Sequence, residues 1–490
     1  MMSLKRKTIS GFKWLSMNHI LQKVISVCTF AVLARILEPS TFGLFAMAFI
    51  AVDGLSLFKT FGLDGGIIQK KEVSQAANDT AFVLIFSMSA TLSVLCFLIA
   101  PWVGRFFNHS ELVSIVRALG VVFILGGFGR VPSAVLTRQL RFRLISVIDL
   151  SGSTANSIFA VIFAFLWPNI WSLVGAYFVK HTLVAVLSWY FSGYRFKWHF
   201  DFKHARELFS FGKFLIALSV VAYIGSNVSN LVIGKIMGAA SVGFYTLAVN
   251  IGNVVNNNFT HIISRVMFPA YSQIQDDLES VTRAYLKTIK FILMISLPFS
   301  IALICLSEEF VLTLYGIKWI SIVPLIRILG VIQMLAPIVH ASGSLYRGCG
   351  RPDYDFNLNL VFLAINIPIM VLFTMWWGLT GTVVASLVTI LVDAPVSIFL
   401  VNRLTGLKLS DFLKQLGPAA FCSAIMFLSI SSVKIVLKTY MSSNSIGLFP
   451  WFVLIVLSAV GALTYAVAFY FVDRKTTIEV KSMILNLERA

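Results

Sequence analysis

Apolar residues run through this chain in long continuous blocks, without the alternation of strands or the stripes of amphipathic surface helices. Fourteen blocks of roughly 20 residues each are separated by short loops that carry most of the charge. They lie near residues 14–36, 42–63, 79–102, 112–134, 144–167, 170–192, 209–234, 241–269, 284–306, 322–347, 356–377, 379–402, 413–437 and 449–472. Hydrocarbon offers no water to backbone N–H and C=O groups, so blocks of this kind must close their hydrogen bonds internally as helices; barrel strands would alternate. The predicted fold class is an all-α integral membrane protein with about 14 transmembrane helices. Composition agrees, since 58% hydrophobic and 12% charged residues leave too much apolar surface for a soluble chain of 490 residues.

The loops predict orientation. Lys5, Arg6, Lys7, Lys13, Lys70, Lys71, Arg138, Arg141, Arg143, Arg195, Lys197, Lys203 and Arg206 fall on one side, followed by Arg283, Arg347, Arg351, Arg403, Lys408, Lys414, Arg474, Lys475 and Lys481. The opposite loops hold mainly Arg105, Lys318 and Lys438. The excess of cations marks the cytoplasmic side, and an even number of spans puts both termini there. Dispersed over many loops, the net charge of +18 suits anionic lipid better than nucleic acid. Cys28, Cys96, Cys305, Cys349 and Cys422 have no C-x-x-C spacing and read as small core residues. The first block has no small-residue cleavage pattern and reads as a retained span, not a signal peptide.

An internal repeat divides the chain. ARILEPSTFG at 34–43 returns as GKIMGAASVG at 234–243, pairing Arg35 with Lys235 and Gly43 with Gly243. PSAVLTR at 132–138 returns as ASGSLYR at 341–347, and Leu173 and Gly175 return as Leu379 and Gly381. Spans 1–6 therefore correspond to spans 7–12 as parallel repeats, an arrangement that encloses a cavity between lobes and opens it to either face. The expected organisation is a six-helix lobe with a basic linker over 1–208, a second six-helix lobe over 209–408, and an appended helix pair with a tail over 409–490.

Charges inside spans cost about 2.5–3.5 kcal/mol each on insertion scales and need a reason. At a rise of about 1.5 Å per residue, Lys23 lies about 14 Å into span 1 and Asp53 about 16 Å into span 2, level with Lys180 and His181 in span 6. A cation beside a carboxylate and a histidine suits an anionic head group and a response to protons. The structural alternative is a Lys23–Asp53 ion pair joining the first two helices while Lys180 snorkels to the interface. The second lobe offers Arg327, His340 and Asp393. In FKTFGLDGGIIQ at 58–69, Lys59 stands where it can meet a phosphate or anchor the helix end. Asn253, Asn256 and Asn257 share one face of span 8, either as a sugar-facing wall or as an interhelical hydrogen-bond seam. Pro298, Pro337, Pro368 and Pro395 bend their spans.

With ARILEPSTFGLFAMA at 34–48, FGLDGGIIQ at 61–69, the repeat and the fourteen spans together, the chain resembles the Wzx polysaccharide flippases of the multidrug/oligosaccharidyl-lipid/polysaccharide superfamily, in particular their colanic-acid-exporter-like branch. The resemblance covers essentially the whole chain. It implies translocation of oligosaccharide repeat units linked through pyrophosphate to undecaprenol, from the cytoplasmic to the periplasmic leaflet of a bacterial inner membrane, for O-antigen, capsule or exopolysaccharide synthesis. Glu38 departs from the small residue usual after ARxL, which removes that loop from consideration as a binding site. The candidate substrate-binding residues are Lys23, Asp53, Lys59, Lys180, His181, Asn253, Asn256 and Asn257, with Lys23, Lys59 and Lys180 facing pyrophosphate or acidic sugars. No cofactor is expected; the coupling ion is H+ or Na+. Membrane lipids, a polysaccharide polymerase and a chain-length regulator are the expected partners, and nucleic acid is not.

A drug or cation antiporter of the same superfamily is the alternative, disfavoured by the extra helix pair. A membrane polymerase or glycosyltransferase needs a reaction site in a large loop, and the loops here carry no paired-carboxylate, D-x-D, G-x-S-x-G or P-loop constellation. The sequence therefore predicts a transporter, not an enzyme.

Overall fold

The computed structural model describes residues 4–58, 75–197, 213–443, 450–479 and 482, and among them every regular element is helical. In chain order the α-helices are α1 Leu4–Ile36, α2 Pro39–Ser56, α3 Gln75–Phe107, α4 Glu111–Arg138, α5 Phe142–Leu166, α6 Ile170–Ser192 and α7 Lys213–Met237. They continue as α8 Ala239–Gly252, α9 His261–Gln273, α10 Leu278–Leu314, α11 Val323–Gly348, α12 Pro352–Thr405, α13 Leu409–Ser443 and α14 Pro450–Val472. A π-helical turn, Asn256–Thr260, joins α8 to α9, and a 3-10 turn, Ile317–Ile322, precedes α11. The chain is an all-α, multi-pass membrane protein.

Local sequence sets the ends of these helices. Asn169 caps α6 by accepting the Trp171 N–H at 2.9 Å, and Gly193 ends it at φ 65°. Asp277 caps α10 through the Ser280 N–H and hydroxyl at 3.1 and 2.6 Å. The range of α12 contains the two spans expected over 356–377 and 379–402. Gly378, at φ 61° and ψ −140°, makes the sharp break between them, a backbone conformation open to glycine alone. The Thr374 and Thr382 hydroxyls meet across this break at 2.8 Å. Trp376 and Trp377 are exposed beside it, as Trp167 and Trp171 are at the α5–α6 turn. Amphipathic aromatics at span ends fit the membrane–water interface.

The chain forms two compact units, Met1–Gly243 and Phe244–Ala490. In unit 1, α4 packs on α3 and α6, α5 joins α6 to α1, and α2 lies against α4, α6, α3 and α7. The sequence placed α7 at the start of the second lobe, whereas the compact division comes after it. Its contacts explain this: the Tyr223 hydroxyl donates to the Ile50 carbonyl at 2.7 Å, and Gly234 receives Phe107 and Met47. The duplicated segments also meet here in register. A Cβ on Gly43 would overlap the Ala239 carbonyl oxygen, and one on Gly243 would overlap the carbonyl oxygen of Pro39. Each contact is the other's counterpart shifted by the repeat, and only glycine allows backbones this close.

Unit 2 is organised around α10, which packs on α11, α13 and α14. Lipid tails are as apolar as the side chains, so burial of apolar groups gives little net drive, and close packing with polar contacts must hold these helices together. Tyr271, Tyr285, Ile289, Leu293, Leu345 and Tyr346 are fully buried around α10 and α11. The Tyr285 and Ser342 hydroxyls share a 2.8 Å hydrogen bond, Tyr271 donates to Thr288 at 3.0 Å, and Tyr346 donates to the Ser397 carbonyl at 2.7 Å. The appended pair is tied to α10 at two levels. Lys290 bonds Asp473 at 2.5 Å, and Lys434 bonds Glu309 at 2.7 Å near the C-terminal end of the helix. Between them the Tyr465 hydroxyl donates to the Met294 carbonyl at 2.8 Å.

Candidate functional site

Two cavities inside unit 1 bring together polar side chains that the apolar helices would otherwise expose to hydrocarbon. The first, of about 300 Å³, lies between α1, α5 and α6 and is lined by Gln22, Ser26, Thr29, Phe30, Leu33, Ser153, Asn156, Ser157 and Lys180. Positions 22, 26 and 29 follow the i, i+4, i+7 register of one helix face, and 153, 156 and 157 follow i, i+3, i+4 on α5. Asp149, one turn before Ser153, lies close enough to Lys180 for their charges to interact.

The second cavity, of about 290 Å³, is lined by Phe49, Val52, Asp53 and Ser56 of α2, by Leu119, Val122, Phe123 and Arg130 of α4, and by Tyr177 and His181 of α6. The Ser56 hydroxyl reaches the Asp53 carboxylate at 3.1 Å. The Tyr177 and His181 rings meet edge to face with centroids 4.4 Å apart, and Phe49 packs on Tyr177 at 5.8 Å. Both Tyr177 and Tyr223 feel the Asp53 charge. A carboxylate, an imidazole and a guanidinium around one cavity can hold an anion or exchange a proton.

The residues picked from the sequence are thus divided. Asp53 and His181 share the second cavity, while Lys180, the neighbour of His181 on α6, faces the first. Lys23 is exposed on α1 beside the first cavity's Gln22 but outside its lining, and no ion pair joins it to Asp53. Lys59 and the Asn257 side chain lie outside the described residues. Asn253 and Asn256 belong to unit 2, where the Gln333 amide donates to Asn253 at 2.5 Å and Asn256 meets His340 at 3.0 Å. This is the geometry of a seam between the π-turn and α11; π-turns concentrate at functional positions. Sequence reasoning missed the hydroxyl and amide stripes and Arg130's place in a cavity. The stripes' helical spacing was the available signal. Among the described residues no cluster of His, Cys, Asp and Glu could hold a metal ion.

The model of the polysaccharide biosynthesis protein family matches residues 32–324. The chain belongs to that family. Among relatives of this polysaccharide biosynthesis protein, the lipopolysaccharide biosynthesis protein WzxC of Escherichia coli is 29% identical over 440 residues, covering 89% of each chain. The teichuronic acid biosynthesis protein TuaB of Bacillus subtilis is 26% identical over 360 residues, 73% of this chain and 74% of its own. Among solved structures, the inward closed lipid II flippase MurJ superposes with a TM-score of 0.74 over 94% of this chain and 99% of its own, at 15% identity. At that identity the likeness speaks for the fold.

Proposed function

We propose that this protein is a flippase that carries oligosaccharide repeat units, linked through pyrophosphate to undecaprenol, from the cytoplasmic to the periplasmic leaflet of a bacterial inner membrane for surface polysaccharide synthesis. The observation that carries the reading is a pair of polar cavities within a unit whose helices are otherwise apolar. Sugars and pyrophosphate cannot cross hydrocarbon unaided, while the polyprenyl tail prefers to remain there, so the protein needs a polar passage for the head group alone. Family membership and the flippase-like fold support the same conclusion.

The parallel repeats serve alternating access, with both termini in the cytoplasm as the loop cations indicate. Lys23 and Lys59 meet the pyrophosphate; Asp53 and His181 respond to the coupling ion, H+ or Na+; a polymerase and a chain-length regulator act on the product. The test is reconstitution of the full chain in proteoliposomes with fluorescent undecaprenyl-pyrophosphate oligosaccharide. Labelled head groups in the protein-containing vesicles should become accessible to a membrane-impermeant quencher, and a rate equal to that of protein-free vesicles would overturn the reading. A further expectation concerns Lys23→Ala, which should impair polysaccharide export while membrane abundance stays normal on an immunoblot.

A further inference from the structure

The α1–α5–α6 cavity has a lining unlike that of a phosphate site. Six of its residues, Gln22, Ser26, Thr29, Ser153, Asn156 and Ser157, carry uncharged hydroxyl or amide groups, and Lys180 is its one cation. Asp149 stands one helical turn from Ser153 and interacts with the Lys180 charge. A pyrophosphate brings several negative charges into a region of low dielectric, where one lysine cannot balance them.

The same lining fits an uncharged sugar closely. A sugar hydroxyl both donates and accepts hydrogen bonds, as do the hydroxyls of Ser26, Thr29, Ser153 and Ser157 and the amides of Gln22 and Asn156. Phe30 and Leu33 supply the apolar surface on which the C–H face of a pyranose rests. A space of about 300 Å³ corresponds to about ten waters at ~30 Å³ each, enough for one ring with its hydroxyls but not for an oligosaccharide.

We infer that this cavity is a subsite for a single uncharged pyranose ring of the transported glycan, with the pyrophosphate held elsewhere. The inference rests on the flippase reading for the identity of the carrier lipid. It makes Asn156, Ser153 and Ser157 specificity-determining residues and takes Lys180 out of the role of phosphate ligand.

The full chain in lipid nanodiscs provides the test, with affinity measured for bare undecaprenyl pyrophosphate and for the same lipid carrying one glucose, galactose, N-acetylglucosamine or glucuronic acid. At least one neutral sugar should improve affinity over the bare lipid by about tenfold, the order of magnitude one or two neutral hydrogen bonds supply. In Asn156→Ala and in the Ser153→Ala/Ser157→Ala double variant this ratio should fall towards one, and glucuronic acid should do no better than glucose. Because the ratio is taken within each variant, a misfolded fraction affects both affinities alike.

A ratio near one for all three neutral sugars in the wild type overturns the subsite, as does a ratio that survives both variants. A glucuronic acid preference abolished by Lys180→Met overturns the neutral assignment. Lipids that are translocated with a flat ratio defeat the subsite alone. Failure of every lipid to bind or cross defeats the flippase reading with it.

Discussion

The two units treat polar side chains within their spans differently. In unit 1, Gln22, Ser26, Thr29, Ser153, Asn156 and Ser157 face one cavity, and Asp53, Arg130 and His181 face another. In unit 2 the buried tyrosines around α10 and α11 meet hydroxyls or the backbone: Tyr285 with Ser342, Tyr271 with Thr288, Tyr346 with Ser397. The first arrangement turns polar groups towards open space, whereas the tyrosine contacts of the second fix helix against helix. Ion pairs at two levels of α10 extend that fixation to the appended helices. A polar residue in a span is therefore informative about function only when its partner is known.

Four substitutions test this contrast. The largest effect belongs to the backbone crossing in unit 1. Gly43→Val must force α2 away from Ala239, and overpacking alone costs about 1–3 kcal/mol before the backbone clash is counted. The expected outcome is loss of monodisperse protein in fluorescence-detected size exclusion; a normal profile would show that the crossing is looser than its geometry requires.

Next is Lys290→Ala in unit 2. The Lys290 and Asp473 side chains are only 22% and 11% exposed, so removing the cation should cost about 3 kcal/mol, read as a lower denaturation midpoint, and Lys290→Met with Asp473→Leu should recover most of it. Burial works against the Asp473 carboxylate, yet hydrogen bonds from Lys290 and Thr476 outweigh it and hold its pKa below the usual range. Its contribution is thus complete above the ordinary carboxylate pKa of about 3.9 and is lost as pH falls through the lowered value. The Lys290→Ala penalty should accordingly stay constant from neutral pH down to the ordinary carboxylate range and shrink only below it.

Asp53→Asn should leave abundance near normal and slow translocation by about tenfold or more, the equivalent of one charged hydrogen bond at ~1.5–3 kcal/mol. Parallel losses of abundance and transport would place Asp53 with the structural residues of unit 2. The smallest effect is expected for Lys287→Ala, whose pair with Glu479 is 53% and 50% exposed and is worth about 0–1 kcal/mol. A large fall in its thermal midpoint would mean that the exposed pair, and not Lys290–Asp473, anchors the tail.

Helical class, the multi-pass character and the break between spans 11 and 12 were legible because hydrocarbon makes each span announce itself by length, and because Gly378 stands between the two apolar blocks. Repeat register was legible too, through Gly43 and Gly243, although their contact was not. Site reading was harder. Depth along the helices put Lys23, Asp53, Lys180 and His181 on one level, but depth carries no azimuth. Lys180 and His181 differ by one residue, about 100° around α6, and face different cavities. The hydroxyl and amide stripes were hidden by their mildness: a serine within a span costs little and is common, so only the meeting of α1 with α5 reveals that six such residues face one space.

Photo-crosslinking tests the central claim most directly. With a compact aliphatic diazirine amino acid replacing Ser157 in the first cavity, or Leu428 on the exposed face of α13 as the control, the full chain is irradiated in nanodiscs with undecaprenyl-pyrophosphate oligosaccharide labelled in its sugar. Labelled adduct should form at Ser157 several-fold above the control and disappear on competition with unlabelled lipid. Equal labelling at the two positions would contradict the assignment of unit 1 as the part of the protein that receives the glycan.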